Sequence, residues 1–339
     1  MTTARNGPRT AALLEGVRRG ESLAIARAIT AIENRTSTGV ELGLAMHGLR
    51  GQCRTIGVTG PPGAGKSSLI NALMSELLPR CRRIGVLTVD PSSPVSGGAV
   101  LGDRVRMAAH SANPDVFIRS LATRGHLGGV TRTTRAVIDL LAAGGMDLVI
   151  VETVGTGQSE VEVAELTDVK IVVCAPGLGD EMQAIKAGVL EIADLIVINK
   201  SDLPDADRTA AHLQAMLHHR GHDERRLALK VSTLNGNGLA TLAEALEARF
   251  GEPVERMPKV ATDGANPRLR LADDVGDLAA ALVRESLDPR IDKIVDALSR
   301  GANSRSDGAL AAIRVLAAQD IRTEAENSSA AVITQRRRQ

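Results

Sequence analysis

The stretch Gly60-Pro61-Pro62-Gly63-Ala64-Gly65-Lys66-Ser67 decides the fold of this chain. It fits the pattern G-x-x-x-x-G-K-[ST], the signature of a phosphate-binding P-loop. The apolar, β-branched segment 54–59 before it predicts a strand, and Ser68 to Met74 after it predict a helix. Glycines let the backbone turn tightly around an anion, and the amides at the helix start point at the phosphates. The stretch therefore predicts a nucleotide cradle in which Lys66 supplies a cation and Ser67 a hydroxyl for Mg²⁺.

A second motif indicates which nucleotide base the P-loop protein recognises. The buried-strand pattern 194–198 runs into Asn199-Lys200-Ser201-Asp202. Guanine presents two adjacent donors that the Asp202 carboxylate can accept together, whereas adenine presents neither. A buried carboxylate discriminates strongly against a ligand that leaves it unpaired. We expect the Lys200 stem to lie along the base and Asn199 to brace the loop, at the spacing of about 135 residues from a P-loop that is typical of G domains.

A softer third match follows the strand pattern 228–231. Ser232, Thr233 and Leu234 come directly after that strand, where a backbone amide is expected to read the O6 atom of guanine. A Ser-Thr pair is common in loops, so this match adds less weight than the first two motifs.

Two aspartates are candidates for the metal site. Asp90 follows the strand pattern 84–89, and the carboxyl end of a strand in an open α/β sheet faces the ligand. Asp90 is therefore predicted as an outer-shell Mg²⁺ ligand or a water-positioning residue. Asp103 follows a glycine-rich stretch and is predicted to reach the metal when that loop closes over GTP. The alternative for each aspartate is a helix cap or a turn residue.

A third carboxylate stands at the end of the strand pattern 147–151. Glu152 is followed three residues later by Gly155, whose amide can reach a γ-phosphate and so sense whether it is present. A Ras-like GTPase has its water-orienting glutamine directly after this glycine, but here Gln158 lies three residues beyond it. We therefore expect hydrolysis by the isolated chain to be slow.

Composition narrows the classes of partner. The net charge of +1 on 339 residues gives no indication of a polyanionic partner, and no apolar run approaches the ~20 residues that span a membrane. Phe117 and Phe250 are the only aromatic residues apart from histidine, so single-stranded nucleic acid would find no stacking platforms. Cys53, Cys81 and Cys174 show no metal or redox spacing, which suits a reducing cytoplasm. We expect a cytoplasmic protein with neither a nucleic-acid nor a membrane partner.

The order of strand and helix patterns predicts the architecture. Strand candidates alternate with helical patterns, and several are apolar on both faces, which predicts an α/β fold with a doubly wound, mostly parallel sheet. The candidates are 54–59, 84–89, 147–152, 169–174, 194–198 and 228–231. The predicted division is a helical N-terminal extension over 1–50, a P-loop GTPase domain over 51–250, a linker over 251–274, a helical C-terminal arm over 275–322 and a tail, 323–339, that we expect to be disordered.

Several strings together resemble the MeaB/ArgK family of SIMIBI-class G proteins. They include Val89-Asp90-Pro91-Ser92-Ser93-Pro94, Glu152 to Glu160 and Pro176 to Gln183, beside the P-loop and Asn199 to Asp202. The resemblance covers roughly residues 10–250. It implies a GTPase that assists the loading and protection of cobalamin on an adenosylcobalamin-dependent acyl-CoA mutase such as methylmalonyl-CoA mutase.

The same resemblance implies roles for particular residues. It makes Asp90, Asp103 and Glu152 the carboxylates of the Mg²⁺ site, and it makes 177–188, with Gln183 and Lys186, a third switch that faces the partner. Family members are usually homodimers through a helical C-terminal arm. This chain departs from the family pattern beyond residue 250, since the expected Trp-rich helix has no counterpart and the chain contains no Trp.

Two alternatives remain open. A nickel-insertion GTPase, as in hydrogenase or urease maturation, shares the G-domain class but needs Cys and His ligands, and the one His-rich patch is His218, His219 and His222. That patch is more simply a solvated helix end. A P-loop kinase acting on a small molecule or a transport protein would need a substrate base and a lid, and Asn199 to Asp202 favours guanine over ATP.

Overall fold

The computed structural model describes residues 8–46, 53–90, 110, 112–122, 129–153, 166–177, 193–219, 227–251, 278–286, 289–299, 311–312 and 314–315. The helices are α1 (Pro8–Arg18), α2 (Ser22–Glu33), α3 (Ser37–Ala45), α4 (Lys66–Leu77), α5 (Gly129–Ala143), α6 (Ala206–His219), α7 (Leu239–Gly251) and α8 (Pro289–Ser299). The strands are β1 (Arg54–Thr59), β2 (Ile84–Asp90), β3 (Val116–Ala122), β4 (Leu148–Thr153), β5 (Val169–Cys174), β6 (Leu195–Ile198) and β7 (Leu227–Lys230). Residues 278–285 are also helical.

The strands form one parallel sheet in the order β3-β2-β4-β1-β5-β6-β7. The strand that precedes the P-loop, β1, is the central one, between β4 and β5. Parallel strands joined through helices are covered on both faces, which explains why their sequences are continuous apolar runs rather than alternating ones. The predicted α/β fold with a doubly wound parallel sheet is therefore confirmed.

Each face of the sheet has its own apolar core. On one face, α4 and α7 pack on side chains such as Ile56, Ile150 and Ile171. On the other face, α5 packs on Val149 and Val151, and α1 to α3 pack against α5. The helix α2 buries Ala24, Ile25, Ala28, Ile29 and Ile32, the spacing of one helix face. The N-terminal helices thus belong to the same core as the sheet.

The structure corrects several sequence boundaries. The strand β3 was not among the strand candidates. Its run includes Arg119, whose guanidinium donates to the carboxylate of Glu33 in α2 at 2.5 Å, so the charged residue on this strand has an ionic partner on a neighbouring helix. The strand β4 continues through Thr153, so Glu152 lies inside it rather than after it. Asp90 is the last residue of β2, and β7 begins and ends one residue earlier than predicted.

The carboxyl edge of the sheet collects the chemical motifs. The P-loop follows β1, Asp90 ends β2, Glu152 is next to last in β4, and Asn199 follows β6. Because the strands are parallel, all of these positions meet at one edge, which is where open α/β sheets bind their ligands.

The C-terminal part is described only in pieces. The carboxylate of Glu285, at the end of the helical residues 278–285, accepts hydrogen bonds from the amide and the hydroxyl of Ser37 at 2.8 Å and 2.6 Å. This contact places a negative charge at the start of α3, where the helix dipole favours it. The predicted linker, 251–274, lies outside the described residues except for Gly251, and the tail 323–339 lies wholly outside them. The division into domains stays a prediction.

Candidate functional site

The P-loop backbone is held in conformations that require glycine. Gly60 has φ 144° and Gly65 has φ 88°, both in the region that L residues rarely adopt. A Cβ on Gly60 would lie 2.2 Å from the carbonyl oxygen of Val173 on β5, and one on Gly65 would lie 2.4 Å from Nδ2 of Asn199. The glycines therefore let the loop pass between the neighbouring strand and the Asn199 side chain.

The side chain of Lys66 folds back over the P-loop. It is the first residue of α4, it is buried, and its Nζ donates to the carbonyl oxygens of Gly60 at 2.8 Å and Pro61 at 3.1 Å. The ammonium group thus lies over the loop beside a helix N-terminus, and this combination of positive charges can hold an anion. Pro62 and Gly63, at the outer bend of the loop, and Ser68, one residue into the helix, are exposed, whereas Ala64 is buried.

The start of α4 is bonded to β4 through a carboxylate. The Ser67 hydroxyl donates to Oε1 of Glu152 at 2.7 Å, and Glu152 is only 4% exposed. The pairing of Glu152 with Val58 in β1 brings the carboxylate to the helix start from 85 residues away. A hydroxyl and a carboxylate are hard oxygen ligands of the kind that Mg²⁺ prefers, so the donor set fits this ion.

The base motif is bonded directly to the phosphate loop. The side-chain amide of Asn199 donates to the carbonyl oxygen of Ala64 at 2.9 Å, while its own backbone amide donates to Cys174 at the end of β5. Lys200 has φ 56°, an unusual value for a residue with a side chain, and its Nζ donates to the carbonyl oxygen of Gly63 at 2.8 Å. These bonds make the two sequence motifs one structural unit.

A second loop fixes the aspartate of the base motif. The hydroxyl of Ser232, which is fully buried after β7, donates to Oδ1 of Asp202 at 2.5 Å. Asp202 itself is exposed, so the carboxylate is open to a ligand rather than already buried as the sequence argument assumed. Thr233 is half-buried and Leu234 is 84% exposed. The sequence analysis did not predict this hydrogen bond between Ser232 and Asp202, because only the pairing of β6 with β7 brings the loops that follow these two strands together.

Burial makes one nearby thiol inert. Cys174 ends β5 beside the P-loop, and burial raises the pKa of its thiol to about 12. All three cysteines are free and buried. The thiol at the site edge is therefore neutral at physiological pH and offers neither a nucleophile nor a soft metal ligand.

Some predicted residues lie outside the described part of the chain. These are Asp103, Gly155, Gln158 and 178–188, which includes Gln183 and Lys186. Asp90 is described as the last residue of β2, paired with Ala122. Over the described ranges, no three His, Cys, Asp or Glu side chains group as metal ligands, and no helix is long and apolar enough to cross a membrane.

The central strand, its P-loop and the guanine motif bonded to it define the class: a P-loop protein of the G type. A family model described as "Methylmalonyl Co-A mutase-associated GTPase MeaB" matches residues 25–285. The chain therefore belongs to this family, a GTPase family, which implies binding of guanine nucleotides. The match continues past residue 250, where the resemblance recognised from the sequence ends.

Individual relatives agree with this assignment. A chain from Pyrococcus horikoshii whose name describes it as a GTPase is 38% identical, over 90% of this chain and 96% of its own length. The "Methylmalonic aciduria type A homolog, mitochondrial" of Mus musculus is 37% identical, over 69% of this chain and 61% of its own. A crystal structure named "LAO/AO transport system kinase" is 27% identical, with TM-score 0.61, over 93% of this chain and 99% of its own.

Proposed function

We propose that this chain is a Mg²⁺-dependent GTPase that assists the loading and protection of cobalamin on an adenosylcobalamin-dependent acyl-CoA mutase. The observation that carries the nucleotide half is the bonding of Asn199 to Ala64 and of Lys200 to Gly63. Because the base motif and the phosphate loop are one unit, a ligand that carries both guanine and phosphates bridges them without rearranging the sheet.

At the phosphate end, the chain supplies fixed positive charge. The amides from Gly60 to Ser68 and the Lys66 ammonium neutralise the charge that develops on the β- and γ-phosphates during transfer. Ser67, Glu152, Asp90 and Asp103 are the residues that would hold the metal. A bound Mg²⁺ would draw negative charge from the phosphate oxygens. The Gly155 amide is proposed to contact the γ-phosphate and so to report whether GTP or GDP is bound.

At the base end, the chain supplies selectivity. Asp202, with one oxygen fixed by Ser232, accepts the two donors of guanine through its carboxylate. The loop of Ser232, Thr233 and Leu234 supplies the backbone amide for guanine O6. Covering the carboxylate with a base that lacks donors would bury an unpaired charge, and that penalty excludes adenine.

The partner half of the proposal rests on the family description and on the name of the mouse relative. Because Gln158 lies three residues after Gly155 rather than directly after it, the isolated chain hydrolyses GTP slowly. The mutase completes the site by ordering the segment 177–188. Gln183 and Lys186 are the proposed contact residues. The C-terminal arm joins two copies into a homodimer, and the three buried thiols suit the cytoplasm.

The nucleotide half is tested by hydrolysis and binding with GTP and ATP, each with Mg²⁺ and with EDTA. We expect Mg²⁺-dependent hydrolysis of GTP at a low rate and no measurable binding of ATP. A preference for ATP with transfer to a small molecule would replace this proposal with the P-loop kinase. Tight stoichiometric binding of nickel would favour the maturation GTPase.

The partner half is tested by single-turnover GTP hydrolysis with and without the cognate mutase. We expect the mutase to accelerate hydrolysis and GTP to change mutase affinity by the same factor by which the mutase changes GTP affinity. Lys186→Ala should lose the acceleration while keeping its affinity for GTP. The matched control is Arg80→Ala, which removes an exposed charge near the opposite edge of the sheet. This variant should keep the acceleration by the mutase. A fast basal rate that the mutase leaves unchanged would refute the chaperone role.

A further inference from the structure

A buried hydroxyl at the carboxyl edge of β2 lacks a partner among the described residues. Thr88 is 1% exposed, and its Oγ1 makes no hydrogen bond to any residue in the described ranges. Buried polar atoms in native proteins are nearly always hydrogen-bonded, and leaving one unpaired costs free energy. The hydroxyl therefore indicates that something polar binds next to it.

The strand register places this hydroxyl beside the proposed metal site. Thr88 in β2 pairs with Glu152 in β4, and adjacent strands lie about 4.8 Å apart. Paired residues of parallel strands share a face of the sheet, and here it is the face that α4 covers, since Val86 and Ile150 belong to the apolar cluster of that helix. Thr88 is thus the neighbour of Glu152 on the side away from the P-loop strand.

Three oxygen-bearing side chains consequently follow one another across the edge. The Ser67 hydroxyl at the start of α4 donates to Glu152, and Thr88 is paired with Glu152 on the next strand. The earlier β2 residues on this face, Ile84 and Val86, are both apolar and fully buried. A valine at position 88 would continue that packing with the same shape, so the hydroxyl is not needed for the core.

We propose that Thr88 is a positioning residue for Mg²⁺, whose hydroxyl binds a water of the ion's hydration shell next to Glu152. Mg²⁺ keeps several of its waters when it binds with a nucleotide, and those waters need fixed partners. A hydroxyl can donate and accept, so it can meet such a water in either orientation. This inference rests on the proposed function, because it assumes a Mg²⁺–nucleotide complex at Ser67 and Glu152.

The test measures how much Mg²⁺ tightens the binding of GDP and of a non-hydrolysable GTP analogue. Affinities are titrated with excess Mg²⁺ and with EDTA for the wild type, Thr88→Val and Thr88→Ser. In Thr88→Val the tightening should fall by about five- to tenfold, the effect of one hydrogen bond, with the EDTA affinity unchanged. Thr88→Ser keeps the hydroxyl and should recover most of the tightening. In the nucleotide-free protein, Thr88→Val should unfold at the same temperature as the wild type or higher.

Thr55→Val is the matched control. Thr55 is an equally buried threonine of the same sheet at its amino edge, where its hydroxyl donates to Asp168 at 2.8 Å. This variant should lose thermal stability and keep the full Mg²⁺ effect. If the wild type shows no Mg²⁺ effect on guanine-nucleotide affinity, the proposed function itself fails. If the wild type shows the effect and Thr88→Val keeps it undiminished, or loses EDTA affinity equally, only the role of Thr88 is overturned.

Discussion

The two edges of the sheet use polar residues for opposite purposes. At the amino edge, three acidic side chains are bonded to backbone amides: Asp168 accepts from the amide of Thr55, Asp147 from those of Arg82 and Arg83, and Asp194 from that of Lys170. At the carboxyl edge, Glu152 accepts from a hydroxyl and Lys66 donates to the carbonyl oxygens of its own loop.

The difference teaches how to separate structural from functional polar groups in this fold. Carboxylates that accept backbone amides close the loops between helices and strands, and their removal should affect stability. Two of the polar atoms that are buried without partners in the described ranges, the hydroxyl of Thr88 and Oδ1 of Asn199, lie at the carboxyl edge near the loops that are predicted to hold the nucleotide. Their removal should affect ligand binding and leave the fold intact.

The largest expected effect is on catalysis in Lys66→Ala. Without the ammonium, the phosphate charge that develops in the transition state loses its closest cation, and single-turnover GTP hydrolysis should fall by about 10³-fold, roughly 4 kcal/mol. The melting temperature should change little, because the carbonyl oxygens of Gly60 and Pro61, to which the ammonium donates, lie in a loop and can turn to solvent. Lys170→Ala, a lysine at the amino edge of β5, is the matched control and should keep the rate. An unchanged rate in Lys66→Ala would remove the P-loop from the mechanism.

The next effect is on base selectivity in Asp202→Asn. The amide presents a donor to guanine where the carboxylate accepted, so the affinity for GDP should fall by about 100-fold, near 3 kcal/mol. Xanthosine diphosphate, which carries a carbonyl at the position of the guanine amine, should bind more tightly than in the wild type. Asp205→Asn, three residues further on and exposed, should leave both affinities unchanged. GDP binding as tight as wild type in Asp202→Asn would refute the guanine assignment.

The sequence predicted most of the sheet, because six of its seven strands are apolar runs that follow or precede recognisable motifs. The seventh, β3, contains Arg119 and Ser120, so its periodicity is weak; it is a strand because β2 pairs with it along seven residues. The single predicted N-terminal helical stretch is three helices, separated at Gly20 and Arg35, which both have positive φ. Local patterns do not reveal where a chain will adopt such a conformation.

For the site, short motifs predicted which residues take part, and the strand register decided which of them touch. Lys66, Ser67, Asn199 and Asp202 were predicted from sequence because each stands at fixed spacing in a motif. The contacts of Ser232 with Asp202 and of Thr88 with the Glu152 strand depend on which strands are neighbours. Sequence spacing carries no information on those pairings.

A stability effect of intermediate size is expected at the amino edge, in Asp168→Ala. Oδ2 of Asp168 accepts from both the amide and the hydroxyl of Thr55, which is fully buried, so truncation leaves two buried donors unpaired. The free energy of unfolding should fall by about 2 kcal/mol, measured by urea denaturation. GDP affinity should stay at the wild-type value, and Asp168→Asn, which keeps one acceptor oxygen, should lose less. A loss of nucleotide affinity in the folded Asp168→Ala protein would contradict the separation of the two edges.

The smallest effect is a dependence of stability on pH at Asp147. Burial acts to raise the pKa of this carboxyl, but the hydrogen bonds from the Arg82 side chain and from the amides of Arg83 and Arg82 outweigh it and hold the pKa below its ordinary value of 3.8. A carboxyl with a lowered folded-state pKa stabilises the protein above its unfolded-state pKa, and this contribution disappears as the pH falls through the folded-state value. Arg82 is 89% exposed, so solvent screening keeps the contribution small. The difference in unfolding free energy between wild type and Asp147→Asn should therefore be constant from pH 7 to about pH 5 and should shrink below about pH 4. A difference that grows on acidification would mean that the contacts of Asp147 do not favour its charged form, and Asp147 would then not belong with Asp168 and Asp194 as a structural carboxylate of the amino edge.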